Sequence, residues 1–207
     1  MWDGYYYFSL LKSAINNTST LSDFISTFNL NSHPSMGYAS YASIGQLFYF
    51  DNQIILHIQN ILLSLLAAYS LFYILIYFIG ESNKLLVALI TAAFLFHPLK
   101  NAVLLNFNLD YPILVFLTTL VCSHIYNKNT YVVLSGIMLV FTKETGIILY
   151  CSFLIALGVP FLVSKVTKLK VPRSKIGLSY ALPIFFLGLY FVVRYTMDLS
   201  LLFSAGY

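Results

Sequence analysis

The chain has 207 residues, of which 59% are hydrophobic and 9% charged, with a formal charge of +4 and a mean hydropathy of +0.83. So little polar surface could not cover a soluble domain of this size, so lipid is the expected solvent and the chain reads as a polytopic membrane protein. Five of the eleven basic residues crowd into Lys165, Lys168, Lys170, Arg173 and Lys175, and so short a cluster between apolar runs is a topology signal and headgroup contact rather than a nucleic-acid surface.

At roughly 20 to 30 residues per span and loop, the length allows about six or seven crossings and one sizeable loop. The expected fold is an all-α, polytopic transmembrane helical bundle, 51–207, preceded by an outer-face loop, 1–50, that carries amphipathic helices. In that loop Tyr5, Phe8, Leu11 and Ile15 recur at helical spacing, Asn16-Asn17-Thr18-Ser19 breaks the pattern, and Asp23 to Leu30 restarts a short helix. His33-Pro34-Ser35-Met36-Gly37 punctuates the chain. Tyr38 to Phe50 then forms an uncharged helix lying in or on the interface, anchored by aromatic residues. Met1-Trp2-Asp3-Gly4 lacks the regions of a secretory signal, so the chain starts on the loop side of a membrane, as though a preceding span were missing.

The first firm span is Ile54 to Ile79, closed by Gly80-Glu81-Ser82-Asn83-Lys84. Leu85 to Phe96 follows and ends at His97-Pro98. After the loop Lys100 to Asp110 come Tyr111 to Tyr126, the polar turn Asn127-Lys128-Asn129-Thr130, and the short span Tyr131 to Thr142, stopped at Lys143-Glu144-Thr145-Gly146. Ile147 to Ser164 and Ile176 to Val193 complete the set. Cys122 and Cys151 sit inside apolar runs without metal-ligand spacing and read as small buried hydrophobes.

Alternate loops differ in basic content. Lys84, Lys128 and the 165–175 cluster hold seven Lys and Arg, against four at Lys12, Lys100, Lys143 and Arg194, so the first set is cytoplasmic. Six of the seven acids (Asp3, Asp23, Asp51, Asp110, Glu144 and Asp198) then fall on the outer side, leaving only Glu81 inside. This assignment requires residues 131–164 to cross twice; a single bent helix there would turn the basic cluster outward.

Ionisable groups close to membrane helices mark sites where they face water, a partner or a substrate. Asp3, beside an aromatic amphipathic segment, is placed to act as a general base, although it also suits a helix cap. His33-Pro34 could ligate a metal or bond a phosphate, and His97-Pro98 repeats the arrangement or simply ends a helix. Asp110 opens a span, where the helix dipole favours an anion. Lys143 and Glu144 end a span short enough to hold them slightly below the outer interface, facing a cavity or snorkelling as a local ion pair.

In order, Asp3 after Trp2, His33-Pro34, Asn108-Leu109-Asp110-Tyr111-Pro112, and Leu134-Ser135-Gly136 running into Phe141-Thr142-Lys143-Glu144-Thr145-Gly146 resemble the integral-membrane GT-C glycosyltransferases, in the protein O-mannosyltransferase and aminoarabinose-transferase branch. The resemblance covers nearly the whole chain but only the catalytic half of such an enzyme, so the chain is expected to be truncated, with a partner supplying the missing spans. It implies sugar transfer from a polyprenyl-phosphate donor on the extracytoplasmic side of the plasma membrane. Asp3 would correspond to the first-loop catalytic acid, His33 to the His-Pro histidine, Asp110 to the second acid, and Lys143 to the basic residue that holds the donor phosphate. Gly4 stands where the family often has another acid, and Ser35 where it usually has a second proline. No cofactor is required; a divalent metal is compatible, since His33 with Asp3 or Asp110 makes a partial ligand set. The expected partners are a lipid-linked sugar donor and membrane lipids, with no nucleic acid. The alternative is a non-catalytic membrane protein, a transporter or an assembly subunit. A transporter would be expected to show internal repeats or broken helices with midplane polar groups.

Overall fold

The computed structural model describes residues 53–97, 110–167 and 177–196. The first loop, 1–50, and most of the 165–175 basic cluster lie outside them. Among the described residues the protein is all-helical: α1 (Gln53–Ile79), α2 (Lys84–Leu95), α3 (Asp110–Ile125), α4 (Asn129–Val140), α5 (Glu144–Thr167) and α6 (Leu182–Thr196), with short 3-10 turns at Glu81–Asn83 and Leu178–Tyr180. One stretch, His57–Ile79, is long and apolar enough to cross a membrane by length and composition, and α3, α4, the first part of α5 (Glu144–Val159) and α6 hold shorter apolar stretches.

Local sequence explains the helix ends. α1 runs through 27 residues without Gly or Pro and stops at Gly80, whose φ of +92° is easy only for glycine. α3 ends in a Schellman motif: Asn127, at φ +54°, donates its N–H to His124 O, and Lys128 donates to Ser123 O at 2.8 Å. Asparagine tolerates this left-handed position better than other side chains. The Asn127–Thr130 turn expected from the sequence is thus tighter than its polar run implies, because Asn129 and Thr130 already belong to α4. Likewise Lys143 alone separates α5 from the Phe141-Thr142 turn, and Glu144 opens α5, where an acid suits the helix dipole.

α1 and α3 run parallel. The contacts Ser64–Tyr111, Ser70–Thr119 and Tyr73–Tyr126 rise together in both sequences. α2 packs back on α1 as the returning arm of a hairpin. α4 and α5 are antiparallel: a Cβ on Gly136 would meet Tyr150, and one on Gly146 would meet Leu139. Residues 131–164 therefore form two helices and not one bent one. The chain alternates direction, which gathers Glu81, Lys84 and Lys128 at one end and Asp110, Lys143 and Glu144 at the other.

α4 is the hub, packed on α3, α5 and α6. Val132, Leu139 and Val140 are completely buried with Val115, Leu120 and Tyr150. The 3-10 turn before α6 is tied in by His124 Nδ1 to Tyr180 Oη at 2.7 Å and by the Tyr150 hydroxyl donating to Tyr180 O at 2.7 Å. Pro183 sits in the first turn of α6, where a missing N–H is harmless.

Gly136 matters because of this packing. A Cβ there would lie 2.7 Å from Pro183 Cγ and 2.9 Å from Tyr150 Cε2. Gly136→Val should therefore lower stability by about 1 to 3 kcal/mol, the usual cost of overpacking, read as a fall in thermal midpoint in detergent.

One expectation is corrected. Cys122 is partly buried, but Cys151 is exposed on α5 rather than buried. On these helices outward positions are as apolar as inward ones: Ile148 and Ile155 flank Cys151 and are 65% and 68% exposed. Hydrophobicity therefore does not report burial here.

Candidate functional site

Asp110 and Lys143 meet although 33 residues separate them: Lys143 Nζ donates to Asp110 Oδ1 at 3.1 Å. The lysine side chain is 26% exposed and the carboxylate 57%. A pair this accessible contributes only about 0.2 to 1 kcal/mol to stability. Its value is positional, since a cation and an anion are held side by side at the end of the bundle where α3 begins and α4 turns into α5.

Buried neighbours fix both members. On the lysine side, Phe141 packs edge-on against Tyr190 at 5.5 Å between ring centres. The fully buried Thr142 donates its hydroxyl to Met138 O, and Gly146 N–H donates to Lys143 O at 2.8 Å. On the aspartate side, Tyr111 is buried and shares a 2.6 Å hydrogen bond with Ser64 of α1, and Pro112 next to it is fully buried. Each charged side chain thus projects from a backbone clamped by the core, which suits recognition of a fixed ligand.

Ser64 belongs to a polar patch on α1. Asn60, one turn nearer the N-terminus, and Gln59 are both buried, at 3% and 8% exposure. Neither carries a charge or belongs to a motif that marks it in the sequence. The available signal was Asn60 and Ser64 at i, i+4 spacing inside an otherwise apolar run.

Of the four site residues expected from the sequence, Asp110 and Lys143 come together, while Asp3 and His33 lie outside the described residues. Glu144 starts α5 partly buried, beside Lys143 in sequence, and His97 is exposed just beyond α2. Among the described residues no three His, Cys, Asp or Glu side chains gather as a metal site. A lysine ammonium has three donors; the bond to Asp110 occupies one, so the same group can also contact an anion. The arrangement therefore presents a partly engaged cation directly beside a carboxylate. No family model matches the chain, and no curated protein or solved structure is significantly similar to it.

Proposed function

We propose that this is a polytopic membrane glycosyltransferase of GT-C type that moves a sugar from a polyprenyl-phosphate donor to an acceptor on the extracytoplasmic side. The observation that carries the reading is the Asp110–Lys143 contact, which unites two of the motif residues. Outward apolar side chains support the membrane solvent: Leu62, Phe78, Leu85, Leu89, Phe185 and Val192 are all at least half exposed, far more apolar surface than a soluble monomer tolerates. Helix length supports the level of the site. The 16 residues of α3 rise about 24 Å, short of a hydrocarbon core of about 30 Å. With the Lys128 end at the inner headgroups, that length would bring Asp110 and Lys143 to within several ångströms of the outer headgroup level, close enough for a long lysine side chain to reach toward a lipid-linked phosphate.

In this mechanism the acceptor hydroxyl attacks the anomeric carbon from the face opposite the phosphate. Asp3 takes the hydroxyl proton as the C–O bond to the acceptor forms. The bond from the anomeric carbon to the phosphate oxygen breaks with inversion, and the polyprenyl phosphate leaves with the electron pair. Lys143 and His33 neutralise the charge growing on that phosphate, and Asp110 orients Lys143.

The test is transfer of a sugar from a polyprenyl-phosphate donor in membranes containing the protein, with any further spans it needs supplied. Lys143→Ala should raise the KM for donor about tenfold or more, with loss of a charge-assisted phosphate contact, and Lys143→Arg should recover part of it. Absence of transfer with every polyprenyl-phosphate donor tried would favour a non-catalytic protein, in which Asp110–Lys143 merely pins the bundle.

Orientation is tested separately. In a background with Cys122 and Cys151 changed to Ser, Ser19→Cys should react with an impermeant maleimide in intact cells and Ser174→Cys should not. Equal labelling would overturn the assignment of the seven-to-four basic asymmetry to cytoplasm and exterior.

A further inference from the structure

At the end of the bundle opposite Asp110 and Lys143, α1, α3 and the start of α4 enclose a pocket of about 410 Å³, large enough for part of a small ligand. Its deep wall is chemically quiet. Ser70 and Ser123 are buried at 2% and 6% exposure. Ser70 and Thr119 hydroxyls bond each other at 3.2 Å, and Ser123 donates to Thr119 O at 2.7 Å. With those hydroxyls engaged, the interior presents mainly Leu66, Cys122 and ring faces. The rim differs: Tyr69, Tyr73, Tyr126 and Tyr131 line it together with Lys128. Tyr69 and Tyr131 are about 60% exposed, at 61% and 59%. Tyr73 packs on Tyr69 at 4.7 Å and on Tyr126 at 5.7 Å, and the Tyr126 hydroxyl donates to Tyr73 O at 3.1 Å, so the wall is built rather than fortuitous.

We propose that this pocket binds one anionic phospholipid of the leaflet at the Lys128 end, with the phosphate on Lys128 at the tyrosine-lined rim and the start of an acyl chain over the apolar interior. The proposal rests on the membrane reading above but not on sugar transfer. Three observations select this occupant. Lys128 is exposed as the N-cap residue just before α4, whereas the nearby carboxylate of Glu81 is engaged by Lys84 at 3.5 Å, so the rim offers a cation to an anion. A belt of tyrosines is the usual lining at headgroup level, and basic pockets between membrane helices take phospholipid headgroups. A second copy of the chain fits poorly, because membrane helices dock through small residues and this rim is built of bulky rings.

The full chain is first tested for release from membranes by alkaline carbonate; release would refute the membrane reading and this site with it. The retained chain is then purified in mild detergent with equal phosphatidylglycerol and phosphatidylcholine of matched acyl chains, and retained lipid is counted by native mass spectrometry. One phosphatidylglycerol should be held in preference. Lys128→Gln should lower the phosphatidylglycerol-to-phosphatidylcholine ratio about five-fold, while Glu81→Gln combined with Lys84→Gln, which removes that neighbouring ion pair without changing the net charge, leaves it unchanged. Cys122→Phe, which fills the interior, should remove the bound lipid with the thermal midpoint retained; if that variant does not fold, the comparison of Lys128→Gln with the double variant decides alone. Equal retention of both lipids by the unaltered chain, an equal drop in the double variant, or a dimer in place of the lipid would overturn the proposal.

Discussion

Gly146→Ala is expected to open the α4–α5 hairpin and cost more than about 3 kcal/mol, beyond ordinary overpacking. A Cβ on Gly146 would collide with the carbonyl oxygen of Leu139. That obstacle is backbone in the middle of the core, not the tip of a flexible side chain, so no rotamer change relieves it. Leu139 is completely buried, so moving its peptide moves the packing of α4 against α3 and α6. The same displacement would draw Lys143 away from Asp110. The variant should be recovered in low yield as a heterogeneous species in detergent, with faster tryptic cleavage after Lys143. Gly158→Ala is the control: nothing lies within 4 Å of a Cβ there, and alanine in a helix interior gains up to about 1 kcal/mol over glycine. Equal behaviour of the two variants would show that the close approach at Gly146 does not govern the hairpin.

The helices were legible because apolar runs without Gly or Pro are long and their punctuation is sharp. Ile54 to Ile79 matches α1 to within a residue, and Leu85 to Phe96 and Tyr111 to Tyr126 match α2 and α3 as closely. Polar clusters misplaced the boundaries of α4 and α5, since Asn129 and Glu144 are polar residues that begin helices rather than end them. The break at Lys143 was legible as two charges interrupting an apolar run. Which faces meet was not legible: inward and outward sides are equally apolar, so Cys151 reads as buried, and the pocket at Lys128 left no trace because its tyrosines come from α1, α4 and the turn after α3. The motif Leu134-Ser135-Gly136 through Gly146 drew attention as a catalytic signature. Two of its residues serve geometry instead, with Gly136 admitting Pro183 and Tyr150 and Gly146 admitting Leu139; that geometry delivers Lys143 to Asp110.

Exchanging the charges of that pair separates chemistry from packing. Asp110→Lys and Lys143→Asp each leave two like charges facing one another across a gap now 3.1 Å, and both single variants should lower the thermal midpoint slightly, in keeping with an exposed pair. The double variant restores opposite charges and should restore the midpoint. A pair that only pins the bundle would regain function with it. If Lys143 meets the departing phosphate, the exchanged lysine projects from the start of α3 instead of the α4–α5 turn, and transfer should stay down by about 10² to 10³, as for loss of one donor aimed at developing charge. Asp3→Asn should act differently: it keeps the shape, removes the base, and lowers turnover by about 10² to 10⁴ while donor KM barely moves. Asp23→Asn, at a carboxylate with only a capping rationale, should leave both constants nearly unchanged. Full turnover in Asp3→Asn would exclude that residue as the base, and recovery of transfer in the double exchange would assign Asp110 and Lys143 to the scaffold.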